Sequence, residues 1–227
     1  MQNKFSYFDL LSNIVPGAML LGLLYFIWPN SQIVTPTTNA GIDIIFFIVF
    51  SFVFGALVQQ CSKYTVEPAL KFFFWRRRFF SEIYLVDDYG LCPNPLRDQV
   101  MRIAKEFFAF RESDLSCLGK AEESTPVLDP HVVSHQIYRK FDYYTLDRGL
   151  AQKAHLANTL YSLYRGLTFV FIIGFFTSGI SYLLGNSEAG IIALISLIAL
   201  FLFLLRARRE AEQYIKGLLS TSVNNRV

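Results

Sequence analysis

Four long stretches with almost no charge constrain this chain more than anything else in it. Leu10 to Trp28 reads LLSNIVPGAMLLGLLYFIW and carries no charge. Ile42 to Leu57 reads IDIIFFIVFSFVFGAL, with one acid, Asp43, near its outer end. Leu167 to Leu184 reads LTFVFIIGFFTSGISYLL, and Gly190 to Leu205 reads GIIALISLIALFLFLL. A helix needs about 17 to 25 apolar residues to cross a bilayer. The first and third stretches meet that length alone, the second and fourth once their polar flanks are counted. A soluble protein that buried four such helices would need more covering material than 227 residues supply. Composition agrees: only 17% of the residues are charged, against about a quarter in an ordinary soluble domain. The first stretch is read as a retained helix and not a signal peptide. Asp9 accompanies Lys4 ahead of it, and no small-residue cleavage pattern follows.

Basic residues set the orientation. The linker 29–41 has no charge, and the turn GNSEA has one glutamate and no lysine or arginine. CSKYTVEPALKFFFWRRRFF follows the second stretch, Arg165 precedes the third, and RARRE follows the fourth. Positive residues flank the cytoplasmic ends of spanning helices. The expectation is an all-α integral membrane protein of the cell inner (cytoplasmic) membrane, with both termini in the cytoplasm. Four transmembrane helices form two hairpins that flank a cytoplasmic, mainly helical domain. Residues 1–60 hold helices at about 10–28 and 42–60, and residues 61–165 form the cytoplasmic domain. Residues 166–206 hold the third and fourth spans, and 207–227 a cytoplasmic helix and tail. Cys61, Cys92 and Cys117 then lie in or beside a reducing compartment, and no C-x₂-C metal spacing occurs.

The segment 61–165 holds most of the chain's charge of both signs, nearly balanced. That describes a folded domain, not a basic nucleic-acid arm, so no direct nucleic-acid partner is expected. KFFFWRRRFF, residues 71–80, is the exception. Trp75, Arg76, Arg77 and Arg78 are expected in a membrane-surface helix, with the arginines against lipid phosphates. SEIYLV ends a helix or forms a short strand. In DDYGLCPNPLRD, Gly90 and Pro93 shape a turn, Asn94 caps a helix, and Pro95 takes its first position. Leu96, Val100, Ile103, Phe107 and Phe110 continue that helix at 3.6-residue spacing. Asp87 and Asp88 repel each other unless a cation meets them. Arg76 to Arg78, Arg139 and Arg148 are the partners considered. Asp129 caps the next helix, with Pro130 first in it. The run 130–164 is one long helix or two.

The chemistry-bearing candidates lie in this segment. His131 and His135 share a helix face at a spacing that can hold a metal, but HVVSH lacks the glutamate that would activate water. Arg139 and Asp142 are three apart and can pair, and Tyr138 shares a face with Asp142. Asp87, Asp88, His131, His135, Arg139, Asp142 and Arg148 are therefore candidates for a ligand site or a polar network. No nucleotide or hydrolase fingerprint occurs, and no catalytic residue, metal site or cofactor is assigned. The spans lack an ionisable group near their middles, a mark of coupled transport. They carry instead Pro16, Gly17, Gly22, Gly55, Gly174 and Gly179, which allow close packing or a pore. Gln59 and Gln60, with Lys63, offer a polar vestibule.

The leading expectation is an oligomeric membrane channel or membrane-perturbing effector controlled by its cytoplasmic domain. Its partners are the lipid bilayer, copies of itself, and a cytosolic protein or small-molecule trigger. The alternatives are a membrane scaffold that recruits a cytosolic partner, and a membrane-bound enzyme at the inner leaflet. The enzyme alternative requires Asp87, Asp88, His131, His135 and Asp142 to converge.

Overall fold

An apolar segment without water must close its backbone hydrogen bonds internally, and a helix does so within one segment. The described residues of all four apolar stretches are helical, apart from Leu184 in the turn after the third. A computed structural model describes residues 7–27, 40–118, 129–150 and 152–225. In chain order its helices are α1 (Tyr7–Ile27), α2 (Ala40–Phe74), α3 (Phe80–Ile83), α4 (Asn94–Phe108), α5 (Glu112–Ser116), α6 (Pro130–Asp147), α7 (Gln152–Leu183) and α8 (Ala189–Asn224). A 3₁₀ turn at Asp87–Tyr89 completes the set. No strand occurs among the described residues. Helices α1, α2, α7 and α8 are long and apolar enough to cross a membrane. The linker 29–41 falls largely outside the described residues.

The chain divides into two compact units. Unit one is Met1–Leu70 with Thr159–Glu210, and unit two is Lys71–Asn158 with Ala211–Val227. The divisions fall inside α2, α7 and α8, whose helical hydrogen bonding runs on past the apolar stretch.

Unit one is built on close helix approach. At the α1–α2 crossing, a Cβ on Gly17 would overlap the Ser51 carbonyl, and one on Gly55 would overlap the Asn13 carbonyl. Asn13/Gly17 and Ser51/Gly55 are each four apart, so the two backbones touch along one small-residue face. Leu20, Val58 and Val170 then form a core joining α1, α2 and α7, with Leu23, Phe54 and Ile173 against it. Helix α8 joins through rings: Phe203 stacks on Phe171 at 5.4 Å and on Tyr164 at 5.9 Å. Gly174 admits Leu23 and Ser196 beside it, whereas Gly22 and Gly179 have open space where a Cβ would be. The hydroxyls of Thr168, Thr177 and Ser178 bond back to carbonyls four residues earlier. This is how a hydroxyl is satisfied in an apolar helix.

Unit two has an aliphatic and aromatic core. Helix α6 buries Val133, Ile137, Phe141 and Thr145, one residue per turn on one face. Helix α4 contributes Val100, Ile103 and Ala104. The strand-like alternative for SEIYLV resolves as one helical turn, α3, whose Phe80 and Ile83 are buried. The tail of α8 is fully part of this core: Leu218 is 0% and Leu219 1% exposed.

Several local expectations are corrected. The membrane-surface helix over 71–80 does not form. Helix α2 continues through Pro68 to Phe74, and Arg76 and Arg77 are both left-handed, at φ 49 and 67. The Arg77 N–H closes the helix end onto the Lys71 carbonyl at 2.7 Å. The helix from Leu96 stops at Phe108, because Ala109 is left-handed at φ 54. It begins with Asn94, and Pro93 holds the cap position, one residue before the expected Asn94. The run 130–164 is two helices, broken at Arg148–Leu150 where Gly149 takes φ 64. Asp129 caps α6 as expected, accepting from the His131 N–H at 3.0 Å.

Candidate functional site

Two polar clusters stand out, one in each unit. The first lies inside unit one and starts from Pro16. A proline within a helix has no N–H for the carbonyl four residues earlier. That carbonyl belongs to Ser12, and Gln59 Nε2 donates to it at 2.8 Å. The same amide donates to the Ser162 carbonyl at 3.0 Å, and its oxygen accepts from Ser162 Oγ at 3.1 Å. Gly166 leaves room for this amide, since a Cβ there would stand 2.7 Å from Gln59 Nε2. Arg165 completes the cluster at 5% exposure. It donates to Ser62 Oγ at 3.0 Å, to Gln59 Oε1 at 3.3 Å, and to the Glu67 carboxylate. Gln59 is thus an internal staple between α1, α2 and α7, and not the wall of a vestibule. Every lone pair of its amide oxygen is engaged. Gln60 and Lys63 are exposed.

The second cluster is a pocket of about 260 Å³ in unit two. Its wall includes Arg78, Glu82, His131, His135, Gln136 and Arg139. His131, His135 and Arg139 sit at i, i+4 and i+8 on α6, and so line one face of it. Helix α3 locks the two imidazoles. His131 Nδ1 lies 3.2 Å from the Glu82 carbonyl, and His135 Nδ1 lies 3.1 Å from Ser81 Oγ. Opposite a carbonyl, the His131 Nδ1 must carry a proton. Ser134 Oγ donates to the Ser81 carbonyl at 2.7 Å, so α3 and α6 are stitched along their length. The Glu82 carboxylate turns back to accept the Phe79 N–H at 3.0 Å. Arg78 makes a loose pair with Asp129 at 3.5 Å, both side chains close to half exposed. Arg139 is exposed and has no ion-pair or hydrogen-bond partner among the described residues.

The remaining candidates lie elsewhere. Asp87 pairs with Arg97, in the first turn of α4, and not with Arg76 to Arg78, Arg139 or Arg148. Asp88 is exposed in the 3₁₀ turn that Gly90 closes at φ 57. Asp142 does not pair with Arg139. It accepts from Tyr214 Oη at 2.6 Å, tying α6 to the end of α8. Burial, with the nearby Asp142 charge, pushes the Tyr138 hydroxyl up to about 12, so that hydroxyl stays protonated at neutral pH. Arg148 stacks on the Tyr144 ring at 4.7 Å. Trp75 is 4% exposed, and its indole N–H lies 3.4 Å from Glu212 Oε1. Burial removes it from the interfacial surface expected for it, while Arg76 and Arg77 remain exposed.

Of the five residues named for an enzyme, His131 and His135 line this pocket, while Asp87 is paired with Arg97 and Asp142 with Tyr214. No group of three or more metal-capable side chains occurs among the described residues. Burial raises the pKa of the Cys92 and Cys117 thiols, which leaves them poor nucleophiles at neutral pH. Sequence reasoning missed Arg165 and Glu67 as a pair and Arg78 as a pocket residue. The one signal near that cluster was Pro16, which has no N–H for the Ser12 carbonyl and so points to a donor such as Gln59. No protein-family model, curated protein or solved structure matches this chain.

Proposed function

We propose that this chain is a multi-pass membrane protein that assembles with copies of itself into a channel or membrane-perturbing effector, with unit two as the control element. Helices α1, α2, α7 and α8 would cross the cell inner membrane, with both termini and unit two on the cytoplasmic side, an orientation that the basic flanks support. The observation that carries the reading is the course of α2, α7 and α8. Each passes from unit one into unit two as continuous helix, with no loop at the division. A rearrangement of unit two would then reach three of the four spans through helix backbone, and a ligand that prefers one arrangement would bias the spans. In none of the four apolar helices is as much as half of the apolar window buried. The chain thus keeps wide apolar faces for lipid or for further copies.

The test is reconstitution of the purified protein into liposomes, with release of potassium and of a trapped dye as the readout. Particle symmetry is determined in parallel in lipid discs. A closed ring of subunits and a triggered leak are the expected outcome. Single copies in both detergent and lipid, with vesicles that stay tight, would sink the proposal.

A further inference from the structure

The pocket on α6 has the composition of an oxyanion site. We infer that Arg78, His135 and Arg139 bind a phosphomonoester group there. Arg139 projects a guanidinium with no carboxylate to answer it among the described residues. Arg78 holds Asp129 only at 3.5 Å and at the surface, a pair of the kind that contributes little. A phosphoryl group presents three strong acceptor oxygens and matches the planar guanidinium fork in two-bond fashion. When Ser81 donates to His135 Nδ1, the neutral imidazole keeps its proton on Nε2 and adds a third donor. Among the described residues Glu82 is the one carboxylate in the wall, and its charge is drawn back onto the Phe79 N–H.

Two further observations favour this site. The backbone that delivers Arg78 is built unusually, with Arg76 and Arg77 in consecutive left-handed conformations. Residues without glycine's freedom hold such angles only where the surroundings enforce them, and such positions gather at ligand sites. Here the enforcement is visible. The Arg78 N–H bonds the Trp75 carbonyl at 2.9 Å, and the Arg76 guanidinium lies 5.1 Å from the Tyr89 ring centre. Tyr89 in turn meets the His131 ring edge-on at 5.8 Å. Size limits the ligand. At about 260 Å³ the pocket falls below the roughly 300 to 1,000 Å³ of sites for whole drug-sized molecules. It holds a phosphate and the first atoms of its ester, the shared chemistry of a lipid headgroup and a small soluble phosphoester.

Binding concerns unit two alone and holds whether or not the chain conducts; a role as the trigger of the spans rests on the proposed function above. The test titrates inorganic phosphate into the full-length protein in phosphatidylcholine nanodiscs, followed by calorimetry. Arg139 is exposed and has no partner among the described residues, so Arg139→Gln is expected to leave the fold intact and to weaken phosphate binding about tenfold. Arg139→Lys, which keeps the charge and loses the fork, falls between the two. Arg148→Gln, outside the pocket, leaves binding unchanged. Absence of saturable binding in the wild type, or equal affinity in wild type and Arg139→Gln, overturns the site. Discs containing phosphatidic acid separate the sources. Loss of soluble phosphate binding in them assigns the pocket to a lipid phosphate, and persistence assigns it to a soluble ester.

Discussion

Arg165 and Arg139 are the same side chain under opposite conditions. Arg165 is 5% exposed and donates to Ser62, Gln59 and Glu67. Arg139 is exposed, lines a pocket, and answers to no partner among the described residues. A buried guanidinium has to be matched in full, because a charge left alone in low dielectric is very costly. An arginine in a concavity open to solvent is under no such demand, and its donors remain available to a ligand. The contrast separates architecture from function. Unit one matches its buried guanidinium in full, whereas unit two leaves the Arg139 donors unspent among the described residues, beside a hollow.

The largest effect expected within unit one comes from the α1–α2 crossing, which leaves no space for side chains. Gly17→Val drives a side chain into the Ser51 carbonyl. It is expected to remove more than about 4 kcal/mol, in the range of severe core disruption. Loss of a single monodisperse peak in detergent chromatography is the readout. The same substitution at Gly22, where the space is open, leaves the protein monodisperse.

Glu67→Ala strips Arg165 of its carboxylate. A buried pair broken on one side costs about 3 to 5 kcal/mol, and the lower end applies because the Glu67 side chain is 20% exposed. A melting curve in detergent measures it. An unchanged midpoint would mean that Arg165 is stabilised by its hydroxyl and amide partners alone.

The third prediction concerns alkali. Tyr138 ionises near 10 in an unfolded chain and near 12 here. Its protonated form is favoured by the fold, so the contribution is complete below pH 10 and lost as pH rises through 12. Two units correspond to about 2 to 3 kcal/mol. Tyr138→Phe is expected to flatten the fall in stability across that window. A fall as steep as that of the wild type would place the titration in other groups.

Gln59→Leu is expected to cost about 1 to 3 kcal/mol, the penalty for unsatisfied buried groups. Its coupling to Pro16 is the sharper measurement. Pro16→Ala restores an N–H for the Ser12 carbonyl, so Gln59→Leu becomes milder in that background by about 1 kcal/mol. Strict additivity would show that the Gln59–Ser12 bond does not compensate the proline. Smallest of all, Arg139→Gln is expected to shift the melting midpoint by no more than a surface substitution does, about 0.5 kcal/mol, while it lowers phosphate affinity. A large stability loss there would turn Arg139 into another Arg165.

The four apolar helices could be read from the chain because length and lack of charge are local properties. Their ends could not. TVEPALKFFF is polar enough to look extramembrane and still helical enough to carry α2 to Phe74. The histidines and Arg139 were legible as one helix face. Arg78 was not, because it reaches the pocket through a left-handed turn that three arginines in a row do not advertise. Asp87 misled for a simpler reason: its partner is Arg97, about as near in sequence as Arg76 to Arg78 but on the other side of the turn. The Arg165 cluster was out of reach of spacing arguments, since Gln59 and Glu67 lie on another helix about a hundred positions earlier.

The bond from Gln59 to Ser12 bears on how the chain is made. Translation delivers α1 before α2, and Pro16 has no N–H to give the Ser12 carbonyl. The donor that closes it is synthesised 47 residues later. The first helix is therefore an unfinished object while it is alone, and the second helix completes it. Residues 1–27 expressed without α2 are expected to be cleared or held by a chaperone, and co-expression of the 40–74 helix as a separate piece to rescue them.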